Sequence, residues 1–144
     1  MTIQVLNGAN LGRLLRRELE IYGTTTYSQL GDGIETTARE LELDVVVRQT
    51  DDEAELLHGI HEATDAGHPV VLNPAAWSHT SVALHDALAA LTSPLVEVHI
   101  SNIHKREAFR HHSYVSAVAD GVIAGLGVEG YVLALQWLSL RGAK

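Results

Sequence analysis

Glu97 and His99 stand two residues apart in Leu95-Val96-Glu97-Val98-His99. The stretch is apolar and rich in β-branched side chains, which reads as a strand. Side chains alternate along a strand, so the carboxylate and the imidazole point the same way. A carboxylate in that position fixes the tautomer of the imidazole and keeps it basic. The chain then enters a polar run, Ile100-Ser101-Asn102-Ile103-His104-Lys105-Arg106-Glu107-Ala108-Phe109-Arg110-His111-His112-Ser113. Ser101, nearby backbone N–H groups, Arg106 and Arg110 suit a small anion. The plainer reading of the stretch is a strand end followed by a solvated loop.

Two other stretches carry chemistry of their own. Arg17 and Tyr22 lie in Arg16-Arg17-Glu18-Leu19-Glu20-Ile21-Tyr22. An unperturbed tyrosine, with a pKa of about 10, is a poor base. A guanidinium beside it favours the phenolate, so the pair suits a general base. The alternative is a tyrosine packing its ring under the loop while the arginines stay solvated. In Asn73-Pro74-Ala75-Ala76-Trp77-Ser78-His79-Thr80-Ser81, Ser78 or Thr80 is expected to cap a helix and leave N–H groups for an anion. His79 would be a hydrogen-bonding group at that mouth, and Asp86, further along, reads alone as a solvated charge.

The nine histidines raise the question of a metal. His58 and His61 are one helical turn apart without an evident third ligand, and adjacent His111 and His112 diverge in regular structure, so no metal site is expected. No GxGxxG or GxxxxGK[ST] phosphate loop is present, which argues against a nucleotide cofactor. The first strand lacks the acidic cluster of a phospho-acceptor domain.

Composition narrows the classes further. The 144 residues are 46% apolar, carry a net charge of −8 and include no cysteine. That length suits a single domain with a real core, here residues 1–144. The negative charge argues against nucleic acid or an anionic membrane as partner. The lack of cysteine excludes disulfides and thiolate catalysis and suits the cytoplasm. Only Lys105 and Lys144 are lysines; arginine carries most of the positive charge and favours fixed bidentate contacts.

The elements that must position these groups follow from periodicity. Strands are expected at residues 3–7, 44–49, 69–73, 94–98 and 121–126. Helices are expected from a cap at Thr26 to about Leu41, from a cap at Asp51 or Asp52 to Gly67, from Thr80 to Leu91 and from Val128 to Leu140. Residues 8–24 form a long connection of the kind that is functional or mobile. Alternating strands and helices imply an α/β fold, a flavodoxin-like five-stranded parallel sheet of order 2-1-3-4-5 with helices on both faces. Ligands in such sheets bind beyond the carboxyl ends of the strands. The clusters after strands one, three and four (Asn10, Arg17 and Tyr22; Asn73, Ser78 and His79; His99, Ser101, Arg106 and Arg110) would therefore share one site.

Taken together, these stretches resemble the type II 3-dehydroquinate dehydratases, or type II dehydroquinases, from Val5 to about Leu138. The matching segments are Leu6-Asn7-Gly8 with Asn10-Leu11, Arg17-Glu18 with Tyr22-Gly23, Asn73-Pro74 with His79-Thr80-Ser81-Val82-Ala83-Leu84, Glu97 to Asn102, Arg106-Glu107, Phe109 to Tyr114, and Gly121 to Gly127. The resemblance implies that Tyr22 takes the first proton, with Arg17 favouring its phenolate. It implies that His99, oriented by Glu97, protonates the departing hydroxyl, and that Asn10 holds a water at the enolate oxygen. Asn73, His79 and Arg110 would hold substrate hydroxyls, and Ile100 and Ser101 the carboxylate. Asp86 would reach a neighbouring subunit's site, and Arg106 would support the lid. The family is typically a dodecamer, a tetramer of trimers, and uses no cofactor. Its reaction, in shikimate biosynthesis or quinate breakdown, removes water from 3-dehydroquinate through an enolate. One base, one acid and fixed anion contacts suffice for that chemistry. The unrelated lysine Schiff-base route is implausible with Lys105 and a terminal Lys144. A non-catalytic paralogue binding a related acid, or an assembly subunit, is the alternative.

The chain departs from the family pattern at Ala9 and Leu19, usually proline, at Leu15 and Ala75, often glycine, and at His85, usually arginine. With Leu15 and Leu19 the lid has no helix breaker after Gly12, and leucine favours a helix over glycine by about 1 kcal/mol and over proline by about 3. Arg13, Arg16 and Arg17 with Glu18 and Glu20 are spaced for one-turn charge pairs. The lid is therefore expected to hold more helical structure than those of its relatives.

Overall fold

The computed structural model describes residues 1–16 and 18–143, the side chains of Leu15 and Arg16 excepted. Strand β1 (Thr2–Asn7) leads into a 3-10 run, Leu11–Arg16, kinked at Arg13, and a one-turn helix α1 (Leu19–Tyr22). There follow α2 (Tyr27–Glu40), β2 (Asp44–Gln49), α3 (Glu53–Ala66), β3 (Val70–Asn73), α4 (Val82–Ala89), β4 (Leu95–His99), β5 (Gly121–Ala124) and α5 (Glu129–Leu140). All strand pairings are parallel, in the order β2-β1-β3-β4-β5. The α/β architecture and the strand order are those expected from the sequence.

Alternation distributes the strand side chains between two cores. Val5, Val71, Val96 and Val98 pack with Leu30 and Ile34 of α2 and with Leu135 and Leu138 of α5. Leu6, Leu72 and Leu95 pack on the opposite face with Leu56 and Ile60 of α3 and with Leu84 and Leu88 of α4. Burying one such leucine stabilises the fold by roughly 1.5–3 kcal/mol. Glu97 shares the parity of Leu95, so its fully buried carboxylate lies on the α3/α4 face.

Local chemistry sets the helix ends. Thr26 and Gln29 form a reciprocal capping box at α2, and Asp52, not Asp51, caps α3. Asp51 is engaged elsewhere: its Oδ1 accepts from the Asn10 backbone N–H (2.8 Å) and from Gln49 Nε2 (3.0 Å). Gly67 closes α3 in the left-handed region.

Three expectations need correction. Neither Ser78 nor Thr80 caps the fourth helix. Residues Ala75–His79 form a 3-10 turn in which the Ser78 hydroxyl donates to the Ala75 carbonyl (2.8 Å), and Ser81 accepts from the Leu84 N–H (3.1 Å) instead. The fifth strand stops at Ala124, because Gly125 and Gly127 adopt positive φ and turn the chain. Residues 8–24 are not plain loop but carry the 3-10 run and α1.

This segment carries helical turns, yet Leu19 is not their cause. Leu19 is the first residue of α1, after Glu18. Proline is well tolerated at that position, where the N–H has no intrahelical acceptor. Glu18 turns toward Arg106 (3.7 Å).

Candidate active site

Three connections leave the carboxyl ends of neighbouring strands and converge. Asn7 and Asn73 sit side by side in the β1–β3 register. Beyond them, Gly8 N–H donates to the Asn73 carbonyl (2.8 Å). A Cβ at Gly8 would lie 2.6 Å from the Pro74 carbonyl oxygen, so only glycine lets the two backbones approach this closely. At the other side, Gly125 and Gly127 N–H groups donate to the His99 and Ile100 carbonyls (3.2 and 3.1 Å).

The cavity enclosed by these loops is about 130 Å³ and is lined by Asn10, Tyr22, Asn73, His79, His99, Ile100, Ser101, Arg106 and Arg110, with Leu11, Ala75, Ala76 and Ile103 among its walls. It opens into a larger cleft of about 550 Å³ that shares Tyr22, Ile100, Ser101 and Arg106 and continues past Gly23, Lys105 and Val128. Nine of the sequence-derived site residues thus meet in one cavity, and Glu97 stands behind His99. Arg17 lies outside the described residues. Asp86 is not in the cavity; it is exposed on α4 and pairs with His85 Nδ1 at 3.0 Å.

His99 Nε2 donates to Glu97 Oε2, which leaves Nδ1 as the ring nitrogen free to meet a ligand. Ser113 donates to Glu97 Oε2 (2.6 Å) and Ser116 to Oε1. Burial alone would raise the Glu97 pKa. The hydrogen bond and charge of His99, with the two hydroxyls, outweigh it and hold Glu97 below the ordinary carboxylate value.

His79 stacks near His99, ring centroids 6.3 Å apart. Its Nδ1 donates to the His112 carbonyl (2.8 Å), which fixes the tautomer and leaves Nε2 as an acceptor. Burial pushes its pKa below the usual value against the pull of that bond, and the charges of His99 and Arg110 add to the fall. His79 is thus a neutral hydrogen-bonding group.

Across the cavity, the Tyr22 hydroxyl receives a 2.7 Å hydrogen bond from Arg106 Nη1, which also reaches Ser101 Oγ at 3.3 Å. The Arg106 guanidinium carbon lies 5.3 Å from the Tyr22 ring centroid. The phenol and the guanidinium thus face the same cavity. Arg106, expected to support the lid, reaches Tyr22 and Glu18 of that segment and so also lies at the phenol. Arg110 is partly neutralised, since its Nε donates to Glu107 (2.6 Å).

Asn73 is held from behind. Its Nδ2 donates to the Tyr131 hydroxyl (2.9 Å), which donates to Asn7 Oδ1 (2.6 Å), and its Oδ1 accepts from the Ala75 N–H (3.1 Å). One Nδ2–H stays available to a ligand. Burial raises the Tyr131 pKa, so its hydroxyl stays protonated. Sequence reasoning missed Tyr131, Ser113 and Ser116 as supports. Tyr131 lies 58 residues from Asn73, and Ser116 lies 19 from Glu97, with no local pattern to join them. Among the described residues no group of three or more His, Cys, Asp or Glu side chains is disposed to hold a metal.

The model of one family, dehydroquinase class II, matches residues 1–139. A 3-dehydroquinate dehydratase from Salinispora tropica is 64% identical over 98% of this chain and 99% of its own length. One from Salinispora arenicola is 66% identical with the same coverage. The crystal structure of the type II dehydroquinase from Propionibacterium acnes superposes with a TM-score of 0.95 at 59% identity, covering 96% of each chain.

Proposed function

The chain belongs to the class II dehydroquinase family, and from that premise we propose that its cavity dehydrates 3-dehydroquinate to 3-dehydroshikimate. Tyr22, as phenolate, removes the proton beside the ketone. Charge moves to the carbonyl oxygen as an enolate, which a water held by Asn10 stabilises. Collapse of the enolate expels the β-hydroxyl, and His99 supplies its proton from Nδ1 while Glu97 holds the imidazolium. Base and acid approach opposite faces of the substrate ring, so the elimination is anti. Asn73, His79 and Arg110 hold substrate hydroxyls, and Ile100 and Ser101 the carboxylate. Arg106 and Arg17 supply the positive charge that favours the Tyr22 phenolate. General acid–base steps of this kind typically contribute about 10²–10⁴-fold each.

The observation that carries this reading is the pairing of Tyr22 with a guanidinium and of His99 with a buried anion, both lining one cavity. The test is the ultraviolet absorbance of the conjugated product after addition of 3-dehydroquinate. Product should appear at an undiminished rate after chelator treatment and after borohydride in the presence of substrate. Absence of product would sink the reading in favour of a non-catalytic acid-binding paralogue. Loss of activity with borohydride alone would point to a lysine Schiff base at Lys105.

The assembly that goes with this reading is a cytoplasmic homododecamer, a tetramer of trimers, in which Asp86 enters the site of a neighbouring subunit. What supports it is that Asp86 stands exposed on α4 and away from its own cavity. Asp86→Ala should weaken substrate binding or change the sedimentation profile. Unchanged kinetics and sedimentation would make it an ordinary solvated carboxylate.

A further inference from the structure

Nothing in the roles above accounts for the segment that follows the polar loop. Ser113 is buried, and its hydroxyl donates to Glu97 Oε2 at 2.6 Å while accepting from the backbone N–H groups of Val115 (3.2 Å) and Ser116 (3.4 Å). Ser116, one turn on, donates to the other oxygen, Oε1. Val115 between them is fully buried in the α3/α4 core, which anchors the segment. The two hydroxyls and His99 Nε2 thus grip both carboxylate oxygens of a side chain with no exposure to water.

A buried carboxylate next to an imidazole has two protonation states. The proton resides on the imidazole and leaves an ion pair, or it moves to the carboxylate and leaves a neutral pair. In the first, Nδ1–H belongs to an imidazolium and is a ready acid; in the second it belongs to a neutral imidazole and is a far weaker one. Hydroxyl donors act on the carboxylate alone, and they stabilise its anion.

We propose that Ser113 and Ser116 are positioning residues for the acid step, which keep Glu97 ionised and aimed so that the proton stays on His99. The proposal rests on the assignment of His99 as the acid. The remaining titratable groups facing the pair are His79, held neutral after β3, Arg110 from the loop after β4, and Tyr22 and Arg106 across the cavity. None of them donates to the Glu97 oxygens in the described contacts, so the serines act on Glu97 without a substitute.

Ser116 offers the cleaner variant, because the Ser113 hydroxyl also closes a backbone turn. Ser116→Ala should lower kcat about tenfold, the usual worth of one hydrogen bond to a charged acceptor, with KM within about twofold. Ser116→Thr, which keeps the hydroxyl, should restore most of the rate. Infrared titration of the folded protein, with Glu97→Gln to identify the band, should show the protonated carboxyl appearing at higher pH in Ser116→Ala than in the parent. That titration needs no substrate, so it tests the serine–Glu97 coupling even if the parent turned over nothing. An unshifted carboxyl titration would overturn the proposal. So would a shifted titration with unchanged kcat, or a kcat loss that Ser116→Thr does not recover.

Discussion

Tyr22→Phe separates catalysis from folding at one atom. The Tyr22 ring is 9% exposed and belongs to the core that α2 and α5 share. Phenylalanine keeps that packing, so no cavity opens. What the variant loses is the hydroxyl that receives the Arg106 Nη1 hydrogen bond at 2.7 Å. Arg106 keeps Ser101 Oγ at 3.3 Å and Glu18 at 3.7 Å, at the mouth of an open cleft where water can replace the phenol. A hydrogen bond to a charged group contributes about 1.5–3 kcal/mol before such replacement, so the net loss should be at most about 2 kcal/mol. For a chain of this size that is a fall in Tm of less than about 8 °C. The kinetic cost is larger. Loss of the general base should reduce kcat by about 10²–10⁴-fold, or roughly 3–5 kcal/mol of transition-state stabilisation. KM should hold within a few-fold, because the phenol acts on a proton and is not a main anchor of the bound acid. The assay is product absorbance across a substrate series, with thermal melts and oligomer size on the same preparations. Near-normal turnover in Tyr22→Phe would refute the assignment and leave His99, held by Glu97, as the next candidate base. A large loss in both Tm and kcat would refute the claim that the hydroxyl is dispensable for folding.

The supporting shell gives three further expectations. Tyr131→Phe strands Asn7 Oδ1 and one Asn73 Nδ2–H in a fully buried site, and should cost about 2–4 kcal/mol in urea unfolding while raising KM through a loosened Asn73; loss of stability with unchanged KM would show that Asn73 needs no such support. Ala75 holds φ at 54°, and Ala75→Gly should relieve that strain and leave stability equal or higher by up to about 1 kcal/mol, whereas a substantial loss would mean the turn is unstrained. Acid stability follows from Glu97 and His79, both held below their ordinary values of 4.5 and 6.5. Each group binds protons more readily unfolded, so its stabilisation is complete above the ordinary value and drains away as pH falls toward the folded one. The urea midpoint should therefore decline first below about pH 6.5 and again below about 4.5, with the first step flattened in His79→Gln.

What the sequence disclosed and what it withheld divide along physical lines. Strand order, helix caps at Thr26 and Asp52, and the stop at Gly67 rest on interactions within four residues or on core periodicity, and both are written locally. Glu97 and His99 were legible because strand parity alone makes them neighbours. The cap at Ser81 was not, since Ser78, Thr80 and Ser81 are chemically equivalent candidates. The 3-10 turn over 75–79 decides among them by turning the Ser78 hydroxyl back to the Ala75 carbonyl. Arg17, the guanidinium expected beside Tyr22 from the same loop, lies outside the described residues. Arg106, 84 residues away, donates to the Tyr22 hydroxyl and had no local pattern to reveal it.

That distance bears on how the site is held. Three groups of the site are held by residues from other parts of the chain: Tyr22 by Arg106, Asn73 by Tyr131 of the last helix, Glu97 by Ser113 and Ser116. The first link joins Tyr22 to the loop after β4 at the edge of an open cleft. The other two lie deeper, behind Asn73 and His99. On the proposed assignment, the acid is oriented by groups inside the fold, and the base meets the Arg106 guanidinium at the cleft.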